Sequence, residues 1–213
     1  MPEDFGEILK EAATYYGGRL REHGAVPQGV DWNGTESQEL RFAQLLKACG
    51  NERAGFSIND YGCGYGGLHS YMLSHGFSGF RYVGFDVSSD MVEEARRKLA
   101  QSAQVELFVA STPNEPADYS VASGIFNVRQ QRPDDEWLDY ILDAITNMNS
   151  MSRRAFAFNC LTKYSDAEYM RDYLYYADPC VLFDFCKRNF SRNVALLHDY
   201  GLYEFTIIVR KDV

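Results

Sequence analysis

Short apolar segments alternate with amphipathic segments along most of this chain. Seven segments rich in Val, Ile and Phe predict strands at 56–61, 81–86, 105–109, 120–125, 155–159, 194–198 and 203–210. Segments with apolar residues at helical spacing separate most of them, which is typical of an α/β fold with a mostly parallel sheet and helices on both faces. Only a short turn separates the last two strands, so we expect them to form an antiparallel hairpin.

Capping residues indicate where several of the helices begin. Thr35 with Gln38 has the spacing of a capping box for the helix before the first strand. One of residues 88–90 caps the helix after the second strand by accepting backbone N–H bonds. Asp178, followed by proline, predicts the start of a helix over 181–190.

Two segments lie outside the alternating pattern, 1–34 and 162–177. We expect them to be small caps on a single domain that covers all 213 residues. In the second segment Tyr169, Tyr173 and Tyr176 recur at helical spacing and predict a short helix with one aromatic face. That face either packs the cap onto the domain or forms a wall of a substrate pocket.

Charge and cysteine content exclude several classes of protein. The net charge of −9, from 21 basic and 30 acidic residues, argues against binding to nucleic acids or anionic membranes. The five cysteines are odd in number and include no C-x-x-C spacing. The cysteine pattern therefore predicts a cytoplasmic protein without a metal site. No membrane span is expected either, because the apolar runs are far shorter than the roughly 20 residues that a span requires.

A glycine-rich turn follows the first predicted strand, with the sequence DYGCGYGG at 60–67. Its glycines allow close approach of a ligand to the backbone and leave the N-terminus of the following helix free to bind it. Asp86 ends the second strand, 22 residues after Gly64. A carboxylate at this place accepts hydrogen bonds from both hydroxyl groups of a ribose, so the two features together predict a nucleoside-containing ligand.

The same glycines leave two ligand classes open. Gly62, Gly64 and Gly67 match the dinucleotide pattern G-x-G-x-x-G, as expected for an NAD-dependent oxidoreductase, and a non-catalytic nucleoside-binding module is a further alternative. Asp60, however, would repel a pyrophosphate and attract an ammonium group. The terminal hairpin and the lack of room for a second domain also disfavour a dehydrogenase.

Three segments together resemble the class I S-adenosylmethionine-dependent methyltransferases. Residues 60–66 resemble the first motif of that family, 83–91 the second, and 119–127 the region of its fourth strand. The similarity covers about residues 38–211. It implies a Rossmann-like seven-stranded sheet with an antiparallel last strand, and S-adenosylmethionine as the methyl donor.

The resemblance also implies which residues surround the donor. They are Asp60, Gly62, Cys63 and Gly64 at the methionine moiety, Asp86 at the ribose, and Val87, Met91 and Ser111 at the adenine. Some relatives use an arginine from the helix before the first strand against the methionine carboxylate. Arg41 is placed for that role, although a solvated position on the helix surface fits it equally well.

Catalysis and the acceptor are less defined by sequence. Transfer from a sulfonium is an in-line displacement, so alignment supplies much of the rate. His198 is a candidate general base, because the carboxyl end of a parallel sixth strand would lie on the ligand side of the sheet. The alternative is that His198 only packs against neighbouring residues. Tyr15, Tyr16 and Phe126 are candidates for binding the acceptor.

The acceptor itself is expected to be a small molecule. The N-P-P-Y tetrapeptide that resembles the signature of amino-group methylation on adenine bases is absent after the fourth strand, where 123–126 reads SGIF. Together with the acidic charge, this disfavours nucleic acid. A methyltransferase acting on a protein or nucleic acid remains the alternative, and the residues do not distinguish an oxygen from a nitrogen acceptor.

Overall fold

The computed structural model describes residues 5–211, which form alternating helices and strands. Short 3-10 helices lie at Pro27–Val30, Leu46–Cys49 and Ala167–Tyr169. The helices are α1 (Gly6–His23), α2 (Thr35–Leu45), α3 (Gly67–Ser74), α4 (Ser89–Lys98), α5 (Asp134–Ser150) and α6 (Pro179–Asn189). The strands are β1 (Ser57–Tyr61), β2 (Arg81–Asp86), β3 (Val105–Val109), β4 (Ala117–Ala122), β5 (Ser152–Leu161), β6 (Asn193–Leu197) and β7 (Glu204–Arg210).

The strands form one sheet in the order β3-β2-β1-β4-β5-β7-β6. Neighbours from β3 to β5 are parallel, whereas β7 runs antiparallel to both β5 and β6. The predicted α/β class, the number of strands and the terminal hairpin are confirmed. The strand order reverses between β1 and β4, and a crevice at the carboxyl ends of these strands is the usual ligand position in such sheets.

Two apolar cores cover the two faces of the sheet. Alternate residues of β5 illustrate them: Ala155 and Ala157 belong to the core that contains α2 and α3, whereas Phe156 and Phe158 belong to the core that contains α5 and α6. Because successive side chains of a strand point to opposite faces, one strand supplies small residues to one core and large residues to the other.

Some predicted element boundaries are wrong. Strand β4 covers 117–122 rather than 120–125, since Gly124 follows it with a φ of 78°, outside the range of a strand. The capping box at Thr35 does not form, because Thr35 is already helical and Gly34 is the N-cap. Asp178 does cap α6, as predicted, by accepting a hydrogen bond of 2.9 Å from the Cys180 backbone N–H.

The inserted segment 162–177 does not contain the predicted aromatic helix. Beyond the 3-10 turn at Ala167–Tyr169, its backbone groups bond to other parts of the chain. The Thr162 N–H donates to the Tyr203 carbonyl at 3.0 Å, and the Tyr175 N–H donates to the Asn127 carbonyl at 2.8 Å. These tertiary hydrogen bonds replace the i to i−4 bonds that a helix would require.

The N-terminal helix α1 lies against α4. The Arg21 guanidinium forms an ion pair with Asp90, and a side chain at Gly17 would come within 3.3 Å of the Asp90 carboxylate. This contact brings α1 and the segment after it to the carboxyl edge of the sheet. No helix within residues 5–211 is long and apolar enough to cross a membrane.

Candidate active site

The turn after β1 is shaped by glycine. Gly62 has a φ of 68°, in the left-handed region, and a Cβ placed on it would lie 2.2 Å from Cγ2 of Ile125. The Cys63 N–H then donates to the Phe85 carbonyl at 2.9 Å, which joins the turn to the end of β2. Glycine therefore allows the turn to contact the loop after β4 and the end of β2 at once.

Asp86 lies at the end of β2, where its carboxylate is 9% exposed. The carboxylate accepts hydrogen bonds from the backbone N–H groups of Gly64, at 3.0 Å, and Ser88, at 2.8 Å. Burial raises the pKa of Asp86 to about 6, although these hydrogen bonds oppose the shift. The side chain is thus held rigidly beside the glycine turn that it was predicted to complement.

Asp60 is a second buried carboxylate, 2% exposed, on the neighbouring strand β1. The Tyr82 hydroxyl donates a hydrogen bond of 2.5 Å to it. Burial, with a further contribution from the negative charge of Asp86, raises the pKa of Asp60 to about 7. Two carboxylates in one buried place favour a ligand that brings positive charge.

One cavity opens between these carboxylates and the loop after β4. It is lined by eight of the predicted cofactor residues: Asp60, Gly62, Cys63, Gly64, Asp86, Val87, Met91 and Ser111. Ser123 also lines it, and its buried hydroxyl oxygen has no hydrogen-bond partner among the described residues. We call this space the donor cavity. No cluster of three or more His, Cys, Asp or Glu side chains within residues 5–211 could hold a metal ion.

The N-terminal segment forms one wall of the donor cavity, through Tyr16 of α1 and through Val30 and Trp32 after it. Trp32 lies so close to Gly124 that a Cβ there would be 2.4 Å from the indole ring. Trp32 was not among the site residues predicted from the sequence. The one feature that could have indicated it is the presence of a large aromatic side chain in an otherwise polar segment.

A second cavity adjoins the donor cavity, and we call it the outer cavity. The two cavities share four lining residues, Tyr16, Val30, Trp32 and Gly124. The outer cavity is also lined by three tyrosines of the inserted segment and one of the terminal hairpin, which are Tyr169, Tyr173, Tyr176 and Tyr203. The aromatic spacing in 162–177 therefore does mark a cavity wall, although the helix that it predicted is absent.

Arg41 does not line the donor cavity, contrary to the expectation from sequence. It is 7% exposed, lies on the wall of the outer cavity, and donates to both carboxylate oxygens of Glu204 at 2.8 and 2.9 Å. A third donor is bonded to the Ser37 carbonyl at 2.8 Å. Because its donors are engaged there, Arg41 is neither a solvated surface residue nor a free partner for a carboxylate in the donor cavity.

Two of the predicted acceptor-binding residues do not line either cavity. The Phe126 side chain is fully buried between the rings of Tyr140 and Phe158, so it belongs to the core. Tyr15 lines a separate surface groove, and its hydroxyl donates to Asp31. Tyr16 is the one predicted acceptor-binding residue that lines both the donor and the outer cavity.

His198 is exposed and lines neither cavity. It follows β6, with its ring 6.0 Å from the rings of Tyr164 and Phe205. The prediction was correct that β6 runs in the same direction as β5, but β7 inserts between them and moves β6 to the edge of the sheet. With about 4.8 Å between strands, the end of β6 lies roughly 19 Å from that of β1.

Solved structures share this fold over nearly the whole chain. Magnesium protoporphyrin IX methyltransferase of Synechocystis PCC 6803 with bound SAH superposes with a TM-score of 0.67, at 16% identity, over 98% of this chain and 100% of that chain. The N-methyltransferase NodS of Bradyrhizobium japonicum, in complex with S-adenosyl-L-homocysteine, superposes with a TM-score of 0.64, at 16% identity, over 93% and 98%. At these identities the likeness defines the class of fold, a Rossmann-like methyltransferase sheet.

Sequence comparison then defines the family. Residues 58–148, which include most of β1, the glycine turn and β2, match a family model described as a methyltransferase domain. The Mycobacterium tuberculosis protein Rv1506c, which is named as a methyltransferase, is 57% identical over 156 residues, or 73% of this chain and 93% of the relative. The chain belongs to the class I S-adenosylmethionine-dependent methyltransferases.

Proposed function

We propose that this enzyme transfers the methyl group of S-adenosylmethionine to an oxygen or nitrogen atom of a small molecule by in-line displacement. The observation that carries the proposal is the common wall of the two cavities, formed by Tyr16, Val30, Trp32 and Gly124. A donor in one cavity and an acceptor in the other would meet at this wall. Such an arrangement aligns the reacting atoms, which is the main requirement of a displacement.

The donor cavity suits S-adenosylmethionine in charge and in hydrogen bonding. Each carboxylate oxygen of Asp86 accepts one backbone N–H and keeps a lone pair for a ribose hydroxyl. Asp60 would face the methionine moiety, where an ammonium group stabilises its ionised form. When bound, the donor supplies a methyl group on a positively charged sulfur atom. The unpartnered Ser123 hydroxyl is available to hydrogen-bond to a polar group of the donor.

The residues at the common wall of the two cavities favour catalysis by alignment of the reactants over catalysis by a side-chain base. Burial, together with the negative charge of Asp31, raises the pKa of Tyr16 well above its ordinary value, so its hydroxyl is a hydrogen-bond donor near neutral pH. The carboxylates of the outer cavity are paired with arginines, Asp31 with Arg19 and Glu204 with Arg41. Among residues 5–211, no histidine lines either cavity.

Several features support a small acceptor in the cytoplasm rather than a nucleic acid or a membrane. The chain carries a net charge of −9, which would be repelled by a phosphate backbone. The N-terminal segment covers the donor cavity and the inserted segment borders the outer cavity. The common wall of the two cavities is therefore set back from the protein surface, which suits a small acceptor. All five cysteines are free thiols, in keeping with a reducing compartment.

The decisive experiment is a methyl-transfer screen with donor labelled in its methyl group. The purified enzyme would be incubated with a library of metabolites, and in parallel with protein and RNA fractions, beside an Asp86→Ala control. Label in a metabolite, lost with the control variant, supports the proposal. Label only in protein or RNA would favour the alternative acceptor class, and binding of NAD without binding of S-adenosylhomocysteine would overturn donor use altogether.

A further inference from the structure

The outer cavity has a chemical character that identifies a class of acceptor. On the basis of the proposed function, we infer that the acceptor is a flat aromatic molecule with an anionic substituent, held among the tyrosines of the outer cavity with its anion at Arg171. The inference rests on the tyrosine rings, on how their hydroxyl groups are bonded, and on the balance of charge along the cavity wall.

The tyrosine rings of the outer cavity are unusually exposed. Tyr169 is 55% exposed, Tyr203 43% and Tyr173 39%, and each of them lines the cavity. The rings of Tyr169 and Tyr203 lie 5.8 Å apart with an angle of 35° between their planes. A cluster of large exposed rings at one cavity marks a binding surface, and ring faces pack best on another planar ring system.

Two of the four tyrosine hydroxyl groups, those of Tyr176 and Tyr203, are bonded within the protein. The Tyr203 hydroxyl donates to the Asp166 carboxylate, and the Tyr176 hydroxyl accepts a 3.0 Å hydrogen bond from the Arg171 backbone N–H. These bonds restrain the rings before any ligand binds, which lowers the entropic cost of binding. They also leave the apolar ring surfaces, rather than these hydroxyl groups, to contact an acceptor.

The charges along the wall leave one cation without an acidic partner. Arg19 and Arg41 are neutralised by Asp31 and Glu204, respectively. Arg171 donates to the backbone carbonyls of Glu168 and Met170 at 3.0 and 2.8 Å, and within the described chain no carboxylate lies within 4.0 Å of its guanidinium. Neutral carbonyls do not cancel a charge, and the Asp166 carboxylate accepts a hydrogen bond from the Tyr203 hydroxyl rather than pairing with Arg171. The exposed Arg171 guanidinium is therefore the group on this wall that favours an anion.

The positions of Tyr16 and Arg171 also orient the acceptor. Tyr16 lines both cavities, whereas Arg171 lines the outer cavity alone. An acceptor with its anion at Arg171 and its ring among the tyrosines therefore extends toward Tyr16, where the Tyr16 hydroxyl can hydrogen-bond to the atom that receives the methyl group. This orientation places methylation on the part of the ring system remote from the anionic substituent.

Calorimetry on protein saturated with S-adenosylhomocysteine tests the inference, with 2-naphthoate as the aromatic anion and 2-naphthamide as its neutral counterpart. We expect naphthoate to bind roughly tenfold more tightly than naphthamide, as a charge-assisted hydrogen bond predicts. Arg171→Gln should abolish this difference, whereas Arg153→Gln, at an exposed arginine of β5 that lines neither cavity, should preserve it. Tyr169→Leu should weaken both probes by a similar factor.

Each other outcome overturns the inference. Equal affinity for the two probes in the wild-type enzyme, a preference that survives Arg171→Gln, or no binding of either probe would reject the aromatic anion. Binding of S-adenosylhomocysteine is measured first in the same experiment. If S-adenosylhomocysteine does not bind, the proposed use of the donor is refuted. If it binds but neither naphthyl probe binds, only the proposed class of acceptor is refuted.

Discussion

Arg41 and Glu204 form a buried ion pair with two parallel hydrogen bonds, of 2.8 Å from Nε and 2.9 Å from Nη2. The guanidinium also stacks on Trp32, with its central carbon 3.9 Å from the ring centroid. On the other side, Asn159 donates to Glu204 at 2.9 Å and accepts from the Gly124 N–H at 2.8 Å. The pair therefore supports both Trp32 and Gly124, which face each other at the common wall of the two cavities.

Loss of the Glu204 charge should destabilise the fold. Glu204→Gln leaves the Arg41 charge buried without a partner, and we expect the free energy of unfolding to fall by about 3 kcal/mol. The control is Glu106→Gln, which breaks a pair with Arg81 in which both side chains are more than 40% exposed, so its effect should stay within about 1 kcal/mol. Urea denaturation measures both values, and equal losses would contradict the buried pair.

Substitution of Asp86 should weaken donor binding. Asp86→Asn keeps the shape of the side chain but removes the negative charge that would hold the ribose hydroxyls, so the affinity for S-adenosylhomocysteine should fall at least tenfold, roughly the value of one charge-assisted hydrogen bond. Titration calorimetry measures it. Asp143→Asn, on an exposed position of α5 that lines neither cavity, should bind normally. Unchanged affinity in Asp86→Asn would mean that the ribose binds elsewhere.

The stability of the protein without ligand should depend on the protonation of Asp60. Its pKa is about 7 in the folded protein, against 3.8 as the reference value. The folded state therefore retains a proton that the unfolded chain has released. This contribution to stability is complete below about pH 4 and is lost as the pH rises through 7.

Asp60→Asn removes this titration. The stability of the variant relative to the wild-type protein should therefore increase by about 2–4 kcal/mol between pH 4 and pH 8, as the wild-type protein acquires a buried charge. Chemical denaturation at a series of pH values measures the difference. The exposed Asp143→Asn variant should show no comparable trend, and a pH-independent difference for Asp60→Asn would show that Asp60 is ionised throughout.

Contact with Trp32 should make Gly124 less tolerant of substitution than other glycines of similar backbone conformation. Gly76 has a φ of 80° and open space around its Cα, whereas Gly124 has a φ of 78° and a methyl group added to it would lie 2.4 Å from the Trp32 ring. Both alanine variants incur the backbone cost, but Gly124→Ala must also displace the indole, for about 1–3 kcal/mol more. Urea denaturation compares them, and equal stability of the variants would show that Trp32 moves freely.

Features that depend on consecutive residues were predicted well from the sequence. The seven strands, the hairpin, the Asp178 cap and the glycine turn with Asp86 all occur in the structure. Each depends on local periodicity or on two adjacent βα units, whose register is set by the buried pattern of the strands. Eight predicted cofactor residues line one cavity for the same reason, since seven of them lie in β1, in β2 or in the segment that directly follows one of these strands.

Assignments that depend on distant parts of the chain could not be read from the sequence. A β7 strand inserted between β5 and β6 moves His198 away from the cavities, and a glutamate 163 positions away binds Arg41. The position of Trp32 on Gly124 likewise depends on how the N-terminal segment packs, which no local pattern encodes. The sequence by itself determined the fold and the glycine turn beside Asp86, because hydrophobic periodicity and glycine turns act over short distances. Only the tertiary structure decided which side chains line the outer cavity, because the pairing of buried charges and the packing of aromatic rings depend on contacts between distant segments.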